Sequence, residues 1–325
     1  MSDKTKALLA TGRVSNLPTV WCNCLAATLI ILQFSSSFSP WLNSQMSEYG
    51  LDAIKDFVSL GLFFIIVSSL FYVGGCFLGD HYDQEFDTEH KPDRPIPSGV
   101  LSSKLVFGLG IFQMGLGFIL TVTIPSLLFG DHSTSIVIYP TLLLVLVINL
   151  YSRYHKKSLF IGLPLIGLCR FFLIIFAASV ASTIYINGSH NTLTDFNLTP
   201  DIFFASAVCI YTIAFASVAR TESSKSPITW RNTLRYTMLA LPLIVLLTNQ
   251  NFEILTALAI LIYAAWLIYS FQFIDSNKGK FVSQCLAGFC LLDACFVAQF
   301  GWQWLITCII LFLVSLQLQK IAPAT

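Results

Sequence analysis

Long apolar runs occupy most of this chain, and no other feature of the sequence limits its fold so strongly. A helix needs about 20 apolar residues to cross a bilayer. By that criterion the predicted spans lie at 17–34, 55–78, 103–128, 134–152, 159–184, 200–219, 233–248, 252–273, 281–299 and 302–319. Because the link between the last two is very short, we predict nine or ten spanning helices. The predicted fold class is an all-α polytopic membrane bundle, with residues 1–325 as one domain.

Composition supports a membrane location. Of the 325 residues, 55% are hydrophobic and only 11% are charged, whereas soluble domains average about 25% charged residues. The formal net charge is +1, so no strong positive field indicates a nucleic-acid partner. The nine cysteines lie in or beside apolar runs without the spacing of a metal site, and we interpret them as small buried hydrophobic residues.

The basic residues predict which helix ends share a face. Every lysine and arginine except Lys55 and Arg170 lies before the first predicted span, after the last one, or in or next to a loop that follows an even-numbered span. Loops rich in Lys and Arg stay in the cytoplasm. We therefore predict that the loops after spans two, four and six form one cytoplasmic mouth, into which a central cavity of the bundle opens.

The most chemically specific stretch is 79–99, which follows the second predicted span. It contains Asp80, Asp83 and Asp87, whose spacing places all three within an arc of about 60° on one side of a helix. Three such carboxylates repel one another unless a cation offsets their charge. Mg²⁺ prefers carboxylate oxygens and often shares its coordination with substrate phosphates, so we predict that these aspartates bind Mg²⁺.

The remainder of this stretch predicts phosphate binding. Lys91 and Arg94 supply cations that can bind phosphate oxygens, and three prolines stiffen the backbone that carries them. A solvated acidic loop with a proline-rich exit is the alternative interpretation. Such a loop needs neither the spacing of the carboxylates nor the rigid segment at 94–99.

These residues resemble a known family. The three aspartates, followed by Arg-Pro-Ile-Pro-Ser-Gly at 94–99, resemble the first aspartate-rich motif and following loop of the UbiA superfamily of intramembrane prenyltransferases. The resemblance implies Mg²⁺-dependent transfer of an isoprenyl group from an isoprenyl diphosphate to a lipophilic acceptor, aromatic or other. The number of predicted helices and the place of the motif after helix two also agree with the family, as expected of a multi-pass protein in contact with membrane lipid. The distribution of basic residues places its active-site loops in the cytoplasm. The three aspartates would then be catalytic ligands of the metal and the diphosphate.

The same resemblance assigns roles to further residues. Arg94 is expected to contact the diphosphate, and Arg13 is similar to a basic residue that the family places before helix one. Tyr151 and Lys156 match a tyrosine and a lysine at the end of the family's helix four. We therefore expect Lys156 to be catalytic, and Arg13 and Tyr151 to bind substrate.

The chain departs from the family pattern at two positions. Gly79 stands where the family usually has Asn before the first Asp. After helix six, where the family has a second aspartate-rich motif, this chain offers only Glu222, between Arg220 and Lys225. We expect Glu222 to be a second catalytic metal ligand, and Arg220 and Lys225 to neutralise the diphosphate.

Two other classes of function stay open. A transporter also places ionisable groups inside helices, as Arg170 and Asp293 are here, although these two residues can equally form a structural pair. A non-catalytic relative that binds a prenyl lipid is compatible with the reduced second motif. The carboxylates cluster at a helix end rather than in the middle of the membrane, which favours the enzyme.

Overall fold

The apolar runs form helices throughout the part of the chain that can be described. The computed structural model describes residues 2–34, 50–129, 134–188, 198–221, 229–245 and 253–322, and no β-strand occurs within these ranges. The α-helices are α1 (Asp3–Thr11), α2 (Leu17–Phe34), α3 (Gly50–Tyr82), α4 (Gln84–His90), α5 (Ser103–Phe129), α6 (Thr134–Tyr154), α7 (Leu159–Gly188), α8 (Thr199–Ala219), α9 (Arg231–Ala240), α10 (Ile254–Phe271), α11 (Lys278–Val297) and α12 (Trp302–Leu318).

Within these described ranges, eight helices are long and apolar enough to cross a membrane. They are α2, α3, α5, α6, α7, α8, α10 and α11. The last helix, α12, is also apolar but has only 17 residues. The structure thus confirms the predicted all-α polytopic membrane bundle.

The predicted span at 233–248 has a different local structure from the others. After α9 the chain enters a 3₁₀ turn at Leu241–Ile244. Pro242 has no backbone N–H and cannot continue the α-helical hydrogen-bond pattern. In α9 only Leu234 and Met238 are buried, which is the pattern of an amphipathic helix rather than of a uniformly apolar span. The predicted end of this span, beyond residue 245, lies outside the described residues.

A glycine makes the short link between α11 and α12 possible. A 3₁₀ turn at Ala298–Phe300 follows α11, and Gly301 then has a φ of 135°. Residues with a side chain rarely adopt this conformation, whereas glycine does so freely. Two separate helices can therefore follow each other with almost no loop.

Two helices form the centre of the bundle. In α11 nearly every side chain is buried, and α2 packs against α3, α7, α8, α11 and α12. Outer helices expose large apolar side chains instead, such as Phe112 on α5 and Leu261 on α10. Exposed apolar surface of this kind suits contact with lipid.

Glycines set the close approach of α3 and α5. A Cβ added at Gly110 would lie 3.0 Å from the side chain of Leu78 and 3.2 Å from the carbonyl oxygen of Gly74. A Cβ added at Gly74 would in turn lie 3.2 Å from the carbonyl oxygen of Gly110. Small residues at such crossings let the backbones of membrane helices pack directly together.

Contacts between helix ends place the basic loops on one face of the bundle. Five side chains from these loops reach residues of a neighbouring loop or helix end. The contacts join Arg13 to Asp80, Lys156 to Asp83, Arg220 to His155, Lys278 to Thr221, and Arg231 to Asp275. The shared face therefore agrees with the alternation of charged loops. The assignment of that face to the cytoplasm stays a prediction.

The glycine crossing generates a stability prediction. Gly110→Leu should destabilise the protein by about 1–3 kcal/mol, because an overpacked helix contact forces the backbones apart. Gly108→Leu is the matched control, because a Cβ at that exposed position of the same helix meets nothing within 4 Å. Thermal unfolding in detergent micelles measures both. Equal melting temperatures for the two variants would contradict the close packing of α3 on α5.

Candidate active site

The three aspartates of the predicted motif converge where α3 ends and α4 begins. Asp83 lies at the junction, and its N–H donates to the Gly79 carbonyl at 2.9 Å. The N–H of Asp87 donates to the Asp83 carbonyl at 2.8 Å, so helical spacing continues through the junction. Asp80, Asp83 and Asp87 are only 8%, 7% and 2% exposed. We call these three residues the carboxylate cluster.

Two cations bridge the carboxylate cluster. Arg94 Nη1 lies 2.6 Å from Asp87 Oδ2 and 3.7 Å from Asp80 Oδ1. Lys156 Nζ lies 3.0 Å from Asp83 Oδ2 and 3.1 Å from Asp87 Oδ1. The structure thus brings together residues that are 69 positions apart in sequence. It also brings together two of the three loops that were predicted to share a mouth.

The turn that follows α4 carries Arg94 back to the cluster. The N–H of Arg94 donates to the Lys91 carbonyl at 3.1 Å, and the N–H of Ser98 donates to the Arg94 carbonyl at 2.9 Å. Ile96 is buried and packs with Phe77 of α3. These contacts, together with the prolines, fix the backbone from which Arg94 reaches Asp87.

Arg13 supplies a third cation from the link between α1 and α2. Its Nη2 lies 3.2 Å from Asp80 Oδ1. Burial opposes the charge of Arg13, but the charge of Asp80 and the smaller contributions of Cys76, Tyr72 and Tyr151 together outweigh burial and raise the pKa of the guanidinium above its ordinary value. Arg13 also has a left-handed backbone conformation, with a φ of 45°. Such strain in a residue other than glycine is typical of functional sites.

His155 belongs to the site, although it was not among the predicted site residues. Its Nε2 lies 3.3 Å from Asp83 Oδ2, and its Nδ1 lies 3.0 Å from the Tyr151 carbonyl. Burial raises the pKa of Asp83, but the hydrogen bond and charge of His155, together with Lys156, outweigh burial and lower it below its ordinary value. The sequence signal was the position of His155, one turn after Tyr151 and next to Lys156.

The other predicted residues occupy different places. Tyr151 lines the cavity inside the bundle and stacks on His155, with ring centroids 4.7 Å apart. Lys91 is exposed at the rim. Arg220 donates to the main-chain carbonyl of His155, so it supports the loop that carries Lys156. The predicted residues Glu222 and Lys225 lie outside the described residues.

Two cavities meet at Arg13. One, of about 180 Å³, enters the bundle, and its wall along α3 runs from Ser68 to Asp83, a length of about 22 Å at 1.5 Å per residue. Its inner walls include the rings of Phe71 and Phe289. The other, of about 410 Å³, lies at the polar rim. The carboxylate cluster therefore stands at the mouth of a space that leads into the membrane region.

The donor chemistry of the cluster fits Mg²⁺, because all three side chains offer carboxylate oxygens. Within the described ranges, however, no three His, Cys, Asp or Glu side chains are arranged to hold one metal ion together. Arg94 and Lys156 occupy the positions between the carboxylates instead. With Arg13, these side chains balance three negative charges with three positive ones.

A second polar network lies deeper in the bundle. Arg170 Nη1 donates to Asn23 Oδ1 at 2.7 Å. Asn23 Nδ2 donates to Asp293 Oδ1 and Oδ2 at 2.9 and 2.8 Å. Arg170 and Asp293 thus belong to one network through an amide that the sequence analysis did not single out.

Comparison with known families gives one match that covers most of the chain. A sequence model described as the UbiA prenyltransferase family matches residues 49–289.

Several archaeal relatives match shorter segments, and each is named digeranylgeranylglyceryl phosphate synthase. The relative from Metallosphaera sedula is 44% identical over 57 residues, which cover 18% of this chain and 20% of the relative. The one from Methanosarcina mazei is 29% identical over 124 residues, covering 38% and 39%. The one from Methanococcoides burtonii is 31% identical over 121 residues, covering 36% and 40%. The matched segments span between 20% and 40% of the length of these relatives.

A solved structure described as that of digeranylgeranylglyceryl phosphate synthase in membranes has a similar fold. The TM-score is 0.54 at 17% sequence identity, over 95% of this chain and 100% of that one. At 17% sequence identity, this similarity supports a shared fold and no more.

The bridged cluster generates a second stability prediction. Asp87→Asn should destabilise the protein by about 3–5 kcal/mol, because it leaves two largely buried cations without their shared carboxylate. Glu89→Gln, on the same helix with a side chain 79% exposed, should change stability by less than about 0.5 kcal/mol. Thermal unfolding of both variants is the measurement. If Asp87→Asn is no less stable than Glu89→Gln, the ion pairs do not hold the mouth together.

Proposed function

This chain belongs to the UbiA prenyltransferase family, and from that premise we propose that it is an intramembrane prenyltransferase. It transfers an isoprenyl group from an isoprenyl diphosphate to a lipophilic acceptor. The observation that carries the proposal is the position of the carboxylate cluster and its cations at the mouth of a cavity inside the bundle. One end of that space suits a diphosphate and the other suits an isoprenyl chain.

The diphosphate is bound by side chains that pair with one another when it is absent. Arg13, Arg94 and Lys156 each carry N–H groups suited to phosphate oxygens. Once Arg94 and Lys156 turn from the carboxylates to the diphosphate, Asp80, Asp83 and Asp87 would hold Mg²⁺, with Glu222 as a further ligand. When bound, the ion would supply positive charge at the leaving diphosphate.

The reaction breaks the bond between the first isoprenyl carbon and the diphosphate oxygen, which keeps the electron pair. Arg94 and Lys156 stabilise the charge that grows on that oxygen, because the loops that carry them are already fixed beside the cluster. The isoprenyl carbon becomes electron-poor and is attacked by the acceptor, which loses a proton. The aromatic and apolar cavity walls exclude water, which would otherwise capture the same carbon.

The loops of this site face the cytoplasm in the proposed orientation, in accordance with the distribution of basic residues. The named relatives suggest an isoprenyl glyceryl phosphate as the first acceptor to test. An aromatic acceptor is the second.

The central prediction concerns the cluster. Asp80→Ala and Asp83→Ala should each reduce Mg²⁺-dependent release of diphosphate from labelled geranylgeranyl diphosphate by about 10²–10³-fold, the usual effect of removing an electrostatic group from an active site. Glu89→Gln, an exposed carboxylate outside the cluster, should retain wild-type turnover. The assay is run with purified protein, with and without acceptor.

The same assay separates the alternative functions. An enzyme releases diphosphate, a non-catalytic binder retains the labelled lipid without releasing it, and a transporter does neither. Unchanged turnover in Asp83→Ala would remove the cluster from the mechanism.

Glu222 permits a separate test of the reduced second motif. Glu222→Gln should raise the Mg²⁺ concentration needed for half-maximal activity about tenfold, because it removes one charged ligand oxygen. The control is Glu253→Gln, at the start of α10 and away from the cluster. A variant with wild-type Mg²⁺ dependence and rate would show that Glu222 is not a ligand.

A further inference from the structure

A buried guanidinium lies in the wall of the inner cavity, well away from the carboxylate cluster. Arg170, on the membrane-spanning helix α7, is 7% exposed and lines the cavity. Its Cζ lies 5.7 Å from the centroid of the Tyr72 ring. Tyr72 precedes Asp80 on α3 by eight residues, or about 12 Å at 1.5 Å per residue. Arg170 is therefore too deep to be part of the diphosphate site.

The contacts of Arg170 fix its position without a direct ion pair. Nη1 and Nη2 donate to Asn23 Oδ1 at 2.7 Å and to Thr19 Oγ1 at 3.1 Å. Its Cζ also lies 4.4 Å from the centroid of the Phe289 ring. The Asp293 carboxylate accepts two hydrogen bonds from Asn23, so this amide lies between the carboxylate and Arg170. The guanidinium is thus contacted directly by neutral groups and ring faces, and the Asp293 carboxylate lies behind Asn23 in the same network.

This arrangement suits a ligand with negative charge. A guanidinium has five N–H donors in a planar fork that matches the oxygens of a carboxylate or phosphate. Ionisable groups inside a membrane protein are costly and usually mark a functional position. Asn23 and Thr19 hold Arg170 from the side of α2, while its side chain also forms part of the cavity wall.

We propose that Arg170 binds an anionic group, a carboxylate or a phosphate, on the acceptor. The inference rests on the prenyltransferase function proposed above and adds to it a specificity-determining residue. The isoprenyl carbon that reacts is attached to the diphosphate at the mouth. An acceptor whose anionic group is held by Arg170 directs its nucleophile from inside the cavity toward that carbon. Acceptors without the anionic group lose this alignment.

The experiment compares charged and neutral acceptors of matched shape. The donor is geranylgeranyl diphosphate. The acceptors are geranylgeranylglyceryl phosphate against geranylgeranylglycerol, and 4-hydroxybenzoate against 4-hydroxybenzamide. Wild type should prefer the anionic member of one pair, and that pair identifies whether a phosphate or a carboxylate is recognised.

Arg170→Met should raise the KM for the preferred anionic acceptor about tenfold to a hundredfold, as expected for loss of a charge-assisted hydrogen bond. The preference over the neutral member should fall to near one, while the KM for geranylgeranyl diphosphate changes less than about threefold, because the cluster that binds it is separate. Arg170→Lys keeps the charge without the fork and should retain part of the preference. If the Met variant fails to fold, the acceptor preference of Arg170→Lys is measured instead.

Asp293→Asn is the matched control, because it changes the same network at a residue outside the cavity wall. It should lower the melting temperature but preserve the preference for the anionic acceptor. If Asp293→Asn abolishes that preference as Arg170→Met does, or if Arg170→Met raises the KM of donor and acceptor equally, Arg170 has only a structural role and the inference is overturned. An active Arg170→Met enzyme with wild-type preference overturns it as well.

Failure of the proposed function gives a different result. If wild type releases no diphosphate with any acceptor, the enzymatic proposal fails. Arg170 is then tested by equilibrium binding of the same four acceptors to wild type and Arg170→Met. Equal affinity of wild type for the anionic and neutral members of both pairs overturns the anion site.

Discussion

The mouth of this protein depends on ion pairs that join segments distant in sequence. The carboxylate cluster comes from the end of α3 and from α4, whereas Arg13, Arg94 and Lys156 come from three different loops. A buried carboxylate without a partner would take up a proton or destabilise the fold. Here each carboxylate meets at least one cation, so charge balance holds four segments together beside the membrane. Binding of a diphosphate can use the same cations without building a new site.

The inner cavity complements this polar mouth. An isoprenyl diphosphate has a strongly charged head and an apolar chain, and neither part is stable in the environment that suits the other. The structure offers both environments within about 22 Å along α3. Arg170 adds a guanidinium to the wall of the inner cavity, where hydrogen bonds to Asn23 and Thr19 of α2 hold it. The proposed reaction therefore takes place between the cations of the mouth, which bind the donor, and Arg170, which binds the acceptor.

The sequence predicted the features that depend on spacing along a single helix. The membrane spans follow from the apolar runs, and the convergence of Asp80, Asp83 and Asp87 follows from helical periodicity. Features that depend on how helices pack were not predictable in the same way. Nothing in the sequence distinguishes His155 and Asn23. They gain their roles because helix packing brings His155, just after α6, to Asp83, and Asn23 of α2 to Asp293 of α11. Arg220 was expected to face the diphosphate, and its contact with a main-chain carbonyl depends on a neighbouring loop.

The backbone of Arg13 restricts which residues can replace it. Its left-handed conformation is easiest for glycine and asparagine, neither of which carries a positive charge. Lysine would keep the charge, but it would keep the conformational strain too and would lose the forked geometry. The two requirements at this position thus point to different amino acids. Divergence of the chain at position 13 therefore demands a compensating change elsewhere, either in the link before α2 or in the partner carboxylate.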